Sequence, residues 1–244
     1  MKSQKRRKRE VPAVPPSHKA DMNFRLAIFD FDGTLASTLD SIHTCMCEAL
    51  AAFGIRAPSR EDVRATVGLT LEESVNILGD GKVSTSQIHD VVDEYRRIHN
   101  VKGAAGVKLF EGAGKFLEEL PSHNIKSVLV SNKGRKGLND LLDRLRIRAF
   151  FDLILGAEDV ARNKPDPKLF TQDIVPHFDG IPKNETLVIG DTDVDIRFAK
   201  AAGLASCWAS YGYGDEAKCR KLGPDYEVRD LKELRVILRA GSAN

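Results

Sequence analysis

Apolar positions along the 244-residue chain follow two rhythms. The first is a short solid run, Leu26, Ala27, Ile28 and Phe29, which passes straight into the acidic turn Asp30-Phe31-Asp32-Gly33-Thr34. An uninterrupted apolar stretch feeding a polar loop predicts a buried central strand over 25–29. The period then lengthens. Leu39, Ile42, Met46, Ala49, Leu50 and Phe53 recur at helical spacing over 37–53, and Gly54 supplies a stop. Ser59 with Asp62, and Thr70 with Glu73, have the hydroxyl-to-acid spacing of capping boxes, so two more helices begin there. A fourth covers 86–99, and four helices with no strand between them make a helical subdomain.

After Gly112 the rhythms alternate. Strands are predicted over 126–130, 152–155, 186–189 and 205–209, and helices over 113–120, 136–146, 167–177, 195–202 and 231–238. Alternation of this kind means a doubly wound parallel sheet. The fold class is therefore α/β, a Rossmann-like parallel core carrying a small inserted α-helical cap. The core is expected over 24–36 and 109–244, the cap over 37–108, and a basic, disordered tail over 1–23. Ligands of such sheets bind beyond the carboxyl ends of the strands.

Composition adds exclusions. Apolar residues make up 42% and charged residues 30%, which is ordinary for a soluble globular protein and excludes fibrous or low-complexity chains. No run approaches the roughly 18 apolar residues of a spanning helix, so no membrane role is expected. Net charge is +2, yet residues 1–20 hold seven Lys/Arg against Glu10, a local +6 that leaves −4 for the rest. Nucleic-acid contact is thus expected only through the tail, whose KRRKR cluster is a solvated terminus or a nuclear-import or polyanion-binding patch. Cys45, Cys47, Cys207 and Cys219 form no CxxC pair and read as free thiols in a reducing, cytoplasmic setting.

Four polar clusters fall after predicted strands: DFDGT at 30–34, SNK at 131–133, KPDP at 164–167 and GDTDVD at 190–195. Each alone is weak, since Asp-Gly is a turn signal and Ser-Asn a helix cap. Asp191, Asp193 and Asp195 imitate a calcium loop, but Ile196 stands where Gly is needed and Ala202 where Glu is needed, which rejects an EF-hand. Together, at one rim of a parallel sheet, they are what an assembled active site looks like.

In this order the clusters resemble the four motifs of the haloacid dehalogenase superfamily, over about residues 24–235, with the phosphoglycolate phosphatase-like branch as the nearest match. The resemblance implies a Mg²⁺-dependent phosphomonoesterase acting on a small phosphorylated metabolite, phosphoglycolate first. It makes Asp30 the nucleophile that forms an aspartyl-phosphate and Asp32 the acid that protonates the leaving alkoxide and then activates water. Asp191 would complete a Mg²⁺ site with the Asp30 carboxylate and the Asp32 carbonyl, and Asp195 would be a further ligand or its support. Lys164 would offset charge on the transferring phosphoryl group, with the Ser131 hydroxyl and the Asn132 backbone N–H on the same oxygens.

An Asp at position 32 argues for phosphate esters, because dehalogenase and phosphonatase relatives typically lack it. Thr34 favours phosphatases over sugar phosphomutases. Specificity is expected from the cap, with Thr38, the loop 67–70, Arg64, Arg96 and Arg97 as candidates for holding a substrate carboxylate. The six histidines show no ligand spacing and receive no role. Nucleotides, sugar phosphates and pyrophosphate fit the core motifs equally well. A phosphosugar mutase, and a non-catalytic scaffold with a polyanion-binding tail, remain as alternatives.

Overall fold

The computed structural model describes residues 23–239; apart from Asn23, the basic tail expected over 1–23 lies outside the described residues. The chain opens with β1 (Leu26–Phe29) and β2 (Ala36–Ser37), followed by α1 (Leu39–Ala52), α2 (Arg60–Arg64), α3 (Leu71–Leu78) and α4 (Thr85–Lys102). It continues through β3 (Lys108–Leu109), α5 (Ala113–Glu119), β4 (Lys126–Val130), α6 (Arg135–Arg144) and β5 (Leu153–Leu155). The last part contains β6 (Thr186–Gly190), α7 (Asp193–Ala202), β7 (Ala205–Ala209), α8 (Glu216–Leu222), β8 (Tyr226–Val228) and α9 (Leu231–Arg239).

Six parallel strands form the main sheet in the order β5-β4-β1-β6-β7-β8. The chain works outward from β1 to β5, then returns to β6 and works outward the other way. The reversal opens a crevice between β1 and β6, where ligands of this fold class bind. Alternate residues of β1 serve opposite faces: Ala27 and Phe29 pack with Leu117, Leu138 and Leu234, and Leu26 and Ile28 pack with Phe170 and Phe198. Burial on both faces is why β1 reads as a solid apolar run.

Between β2 and β3, helices α1 to α4 enclose an apolar cluster of their own, including Met46, Leu50, Val63, Val75, Val91 and Ile98. β2 and β3 pair antiparallel, Ala36 with Leu109 and Ser37 with Lys108, so the chain enters and leaves the helical segment side by side.

Besides the unexpected β2–β3 pair, three features differ from expectation. The helix expected over 167–177 is a π-helical turn at Leu169–Ile174 followed by a 3₁₀ turn at Val175–His177. Pro176 has no N–H to give back to the preceding turn, so the α-helical ladder cannot close there. Helix α7 starts at Asp193 rather than at 195, with Thr192 as its N-cap. The sixth strand β8 and helix α8 were not expected, and at three residues β8 is too short to show alternation.

Candidate active site

Asp30 follows β1 and still donates its N–H to the Ile189 carbonyl of β6, at 2.9 Å. Its carboxylate therefore emerges at the crevice. Asp191 follows β6, and Ser131 and Asn132 follow β4. Lys164 lies in the loop after β5, joined to Pro165 by a cis peptide bond. Asp30, Ser131, Asn132, Lys164 and Asp191, together with Asp32 and Asp195, are all buried.

The Lys164 ammonium donates to Asp30 Oδ1 and Asp195 Oδ1, both at 2.7 Å. Asp195 sits on the first turn of α7, where its Oδ2 accepts from the Thr192 N–H at 3.2 Å and hydroxyl at 2.9 Å. This is the acid half of a capping box, and it leaves Oδ1 aimed at the lysine. Asp191 Oδ1 accepts from the Thr34 hydroxyl at 3.2 Å and Oδ2 from the Tyr213 N–H at 2.7 Å. The chain crowds this carboxylate: at Gly33, with φ +84°, a Cβ would stand 2.2 Å from Asp191 Oδ2, and at Gly212 one would stand 2.3 Å from Asp191 Cβ. Only glycine permits both approaches.

Burial dominates the electrostatics. It pushes Asp30 up to about 7; Lys164 opposes the shift, and Asp195 and Asp32 add to it. Asp191 is raised well above the carboxylate range by burial and by Asp30 and Asp195. For Lys164, burial works against the charge, but Asp195 and Asp30 outweigh it and hold the amine above its ordinary value.

Asp30, Asp191 and Asp195 each bring a carboxylate oxygen within 4.8 Å of the others. With all three carboxylates ionised, the group around the single Lys164 ammonium carries a buried net charge of −2. Uncompensated buried charge is costly, and a hard all-oxygen donor set with this deficit fits a divalent cation such as Mg²⁺. The Asp32 carboxylate stands apart from the trio and faces Lys133, whose Nζ lies 3.4 Å from Oδ2.

Three residues act in ways the sequence did not disclose. The Asn132 side chain is a clamp: Oδ1 accepts from the Lys164 N–H at 3.1 Å, while Nδ2 donates to the Lys164 carbonyl at 2.9 Å and to the Gly68 carbonyl of the helical segment at 2.8 Å. Lys133, present in the SNK cluster but given no part, holds Asp32. Tyr213 binds Asp191 through its backbone, while its phenol oxygen accepts the N–H groups of Thr38 and Leu39 at 2.8 and 3.2 Å. In the sequence it is marked only by its flanking glycines, Gly212 and Gly214.

A cavity of about 250 Å³ lies between the carboxylates and the helical segment. It is lined by Asp30, Asp32, Ser131 and Lys133 below and by Ile42, Met46, Val67, Leu69, Leu71, Tyr95, Arg96 and His99 above. Of the arginines expected to set specificity, Arg64 pairs with Glu61 and Arg97 with Glu94, and neither lines the cavity. Arg96 lines it but is held by Glu158 at 2.9 Å and by Glu72 at 3.5 Å. Thr38 Oγ1 is buried without a hydrogen-bond partner.

Residues 27–209 match the model of the haloacid dehalogenase-like hydrolases. The chain belongs to the haloacid dehalogenase-like hydrolase family. Among similar proteins of this family, a phosphoglycolate phosphatase of Photorhabdus laumondii is 30% identical over 217 residues, covering 86% of this chain and 90% of its own. One from Pseudomonas syringae pv. tomato is 29% identical over 215 residues, covering 86% and 78%. A haloacid dehalogenase-like hydrolase from Bacteroides fragilis superposes with a TM-score of 0.78 at 29% identity, over 86% of this chain and 99% of that one. The haloacid dehalogenase-like core, the relatives and the site agree on a hydrolase of the phosphatase kind. Among the described residues no helix is long and apolar enough to cross a membrane.

Proposed function

We propose that the protein is a Mg²⁺-dependent phosphomonoesterase of the cytoplasm that cleaves a small phosphorylated metabolite through an aspartyl-phosphate on Asp30. Phosphoglycolate is the first compound to test, since it is the substrate in the names of the relatives. The observation that carries the reading is the division of the acids. Asp30, Asp191 and Asp195 are grouped around Lys164, while Asp32 is set apart under the cavity, against Lys133. A site with one acid to attack and another to move a proton needs this separation.

Asp30, Asp191, Asp195 and the backbone carbonyl of Asp32 would hold Mg²⁺, which supplies charge neutralisation for an anionic phosphoryl group. Lys164 favours the ionised form of Asp30 and offsets charge on the phosphoryl oxygens; the Ser131 hydroxyl donates to the same oxygens. An Asp30 carboxylate oxygen bonds to phosphorus as the ester bond to the leaving alcohol breaks, and the alkoxide takes the proton of Asp32. Water then attacks, Asp32 takes its proton, the bond from phosphorus to Asp30 breaks, and phosphate leaves. Residues 37–108 act as the cap that excludes water from both steps. The four free thiols accord with a reducing compartment.

The test is phosphate release from phosphoglycolate, nucleotides, sugar phosphates and pyrophosphate, with Mg²⁺ and with EDTA. Release that EDTA abolishes is expected. Interconversion of phosphosugars without release would indicate a mutase, and no turnover of any kind would return the scaffold reading.

A further inference from the structure

The cavity above Asp32 has more room, and a different chemistry, than glycolate requires. At roughly 30 Å³ per molecule of liquid water, its 250 Å³ corresponds to on the order of eight waters, of which a two-carbon acid replaces a minor part. The part of its wall formed by Ile42, Met46 and Leu71 is also unsuited to a carboxylate. Ile42, Met46 and Leu71 offer only hydrocarbon and a thioether, and an anion placed against them loses its hydration with nothing in return. Each cation on the wall already faces an acid: Lys133 faces Asp32, Arg96 faces Glu158 and Glu72, and Lys136 faces Asp140 at 2.7 Å.

What the cavity does offer is the edge of a buried aromatic pair. Tyr95 and His99, one helical turn apart on α4, stack with centroids 5.8 Å apart and planes 23° from parallel. Met46 lines the same cavity, and a thioether beside a ring face or edge is favourable. Burial, followed by the neighbouring Lys133, depresses His99 to about 4, so that its imidazole is neutral at physiological pH and adds no charge to the wall. Asn100 also lines the cavity, and among the described residues neither its side-chain amide nor the Tyr95 hydroxyl has a hydrogen-bond partner. His99 Nε2 is likewise buried without a partner, and three free polar groups beside the hydrocarbon of Ile42 and Leu71 are how a pocket orients a flat, heteroatom-bearing ligand.

We propose that the preferred substrate is a phosphate monoester whose alcohol carries an aromatic or heteroaromatic ring, seated between the Tyr95–His99 stack and the side chains of Ile42, Met46 and Leu71. This rests on the phosphomonoesterase reading and specifies its leaving group. The phosphoryl end remains with Asp30 and Lys164, and the ring fills the space that glycolate leaves empty.

The experiment compares kcat/KM, with Mg²⁺, for benzyl phosphate and pyridoxine 5′-phosphate against ethyl phosphate and phosphoglycolate. Benzyl and ethyl alcohols are similar in basicity, so a difference between their esters reports the fit of the ring. The ring-bearing esters are expected to be favoured by roughly tenfold or more. Leu71→Asn, a change at a partly exposed helix start, is expected to shrink the ratio of benzyl to ethyl ester by roughly fivefold. Phosphoglycolate turned over as well as the ring-bearing esters would overturn the inference and leave the phosphomonoesterase reading intact. A ratio unmoved by Leu71→Asn would also overturn it. Release from none of the four would remove both.

Discussion

At Asp30 two requirements meet. The attacking carboxylate must be ionised, yet burial pushes it up to about 7 and Lys164 only partly restores it. A cation among Asp30, Asp191 and Asp195 would complete that restoration. Asp30→Asn should keep the fold and lose turnover by at least about 10⁴-fold, as removal of a nucleophile does. Asp32→Asn should behave differently. Proton transfer contributes on the order of 10²–10⁴-fold, but 4-nitrophenolate leaves without a proton, so the loss should be large on alkyl esters and small on 4-nitrophenyl phosphate. Equal losses on both would mean that Asp32 does not protonate the leaving group. Asp30, Asp32, Lys164 and Asp191 were legible because each follows a strand end in a recognisable cluster. Lys133, the side chain of Asn132 and His99 were not. Their contacts join segments far apart in the chain: the Asn132 amide reaches Gly68, and His99 packs on Gly137, where a Cβ would meet its ring at 3.0 Å.

Among the elements, α1 begins in an unusual way. Its N-cap Thr38 provides no side-chain hydrogen bond to the helix, and the first N–H groups are instead accepted by the Tyr213 phenol, from the loop that also binds Asp191. One residue thus connects the acidic trio to the start of the helical segment. Tyr213→Phe should destabilise the protein by about 1–2 kcal/mol, through loss of the capping acceptor, and lower Tm by roughly 2–8 °C. An unchanged Tm would show that water caps the helix equally well. Elements with a full period of apolar positions, such as β1, α1 and α9, could be read from the chain. β8, the β2–β3 pair and the π-helical turn could not, because two or three residues carry no period and a π turn arises from what Pro176 fails to donate.

Over the whole molecule, the upper and lower halves of the site meet through His99 and Gly137, and this contact responds to acid. The folded protein holds His99 near 4, chiefly by burial and then by Lys133, whereas an unfolded chain returns it to about 6.5. The unfolded state therefore binds more protons between those values, and stability present above pH 6.5 is lost as the pH falls towards 4, by on the order of 3 kcal/mol. Urea midpoints at pH 7 and pH 4.5 should differ more for the wild type than for His99→Asn; an equal difference would assign the acid sensitivity elsewhere. The paired crossing at Ala36–Leu109 and Ser37–Lys108 has a separate consequence. Neighbouring strands lie about 5 Å apart, so the two ends of the intervening 70-residue excursion are already at the distance a tight hairpin spans. The sheet below is indifferent to what fills that gap, and a lineage could exchange, enlarge or delete the filling at this one seam without re-registering a single core strand.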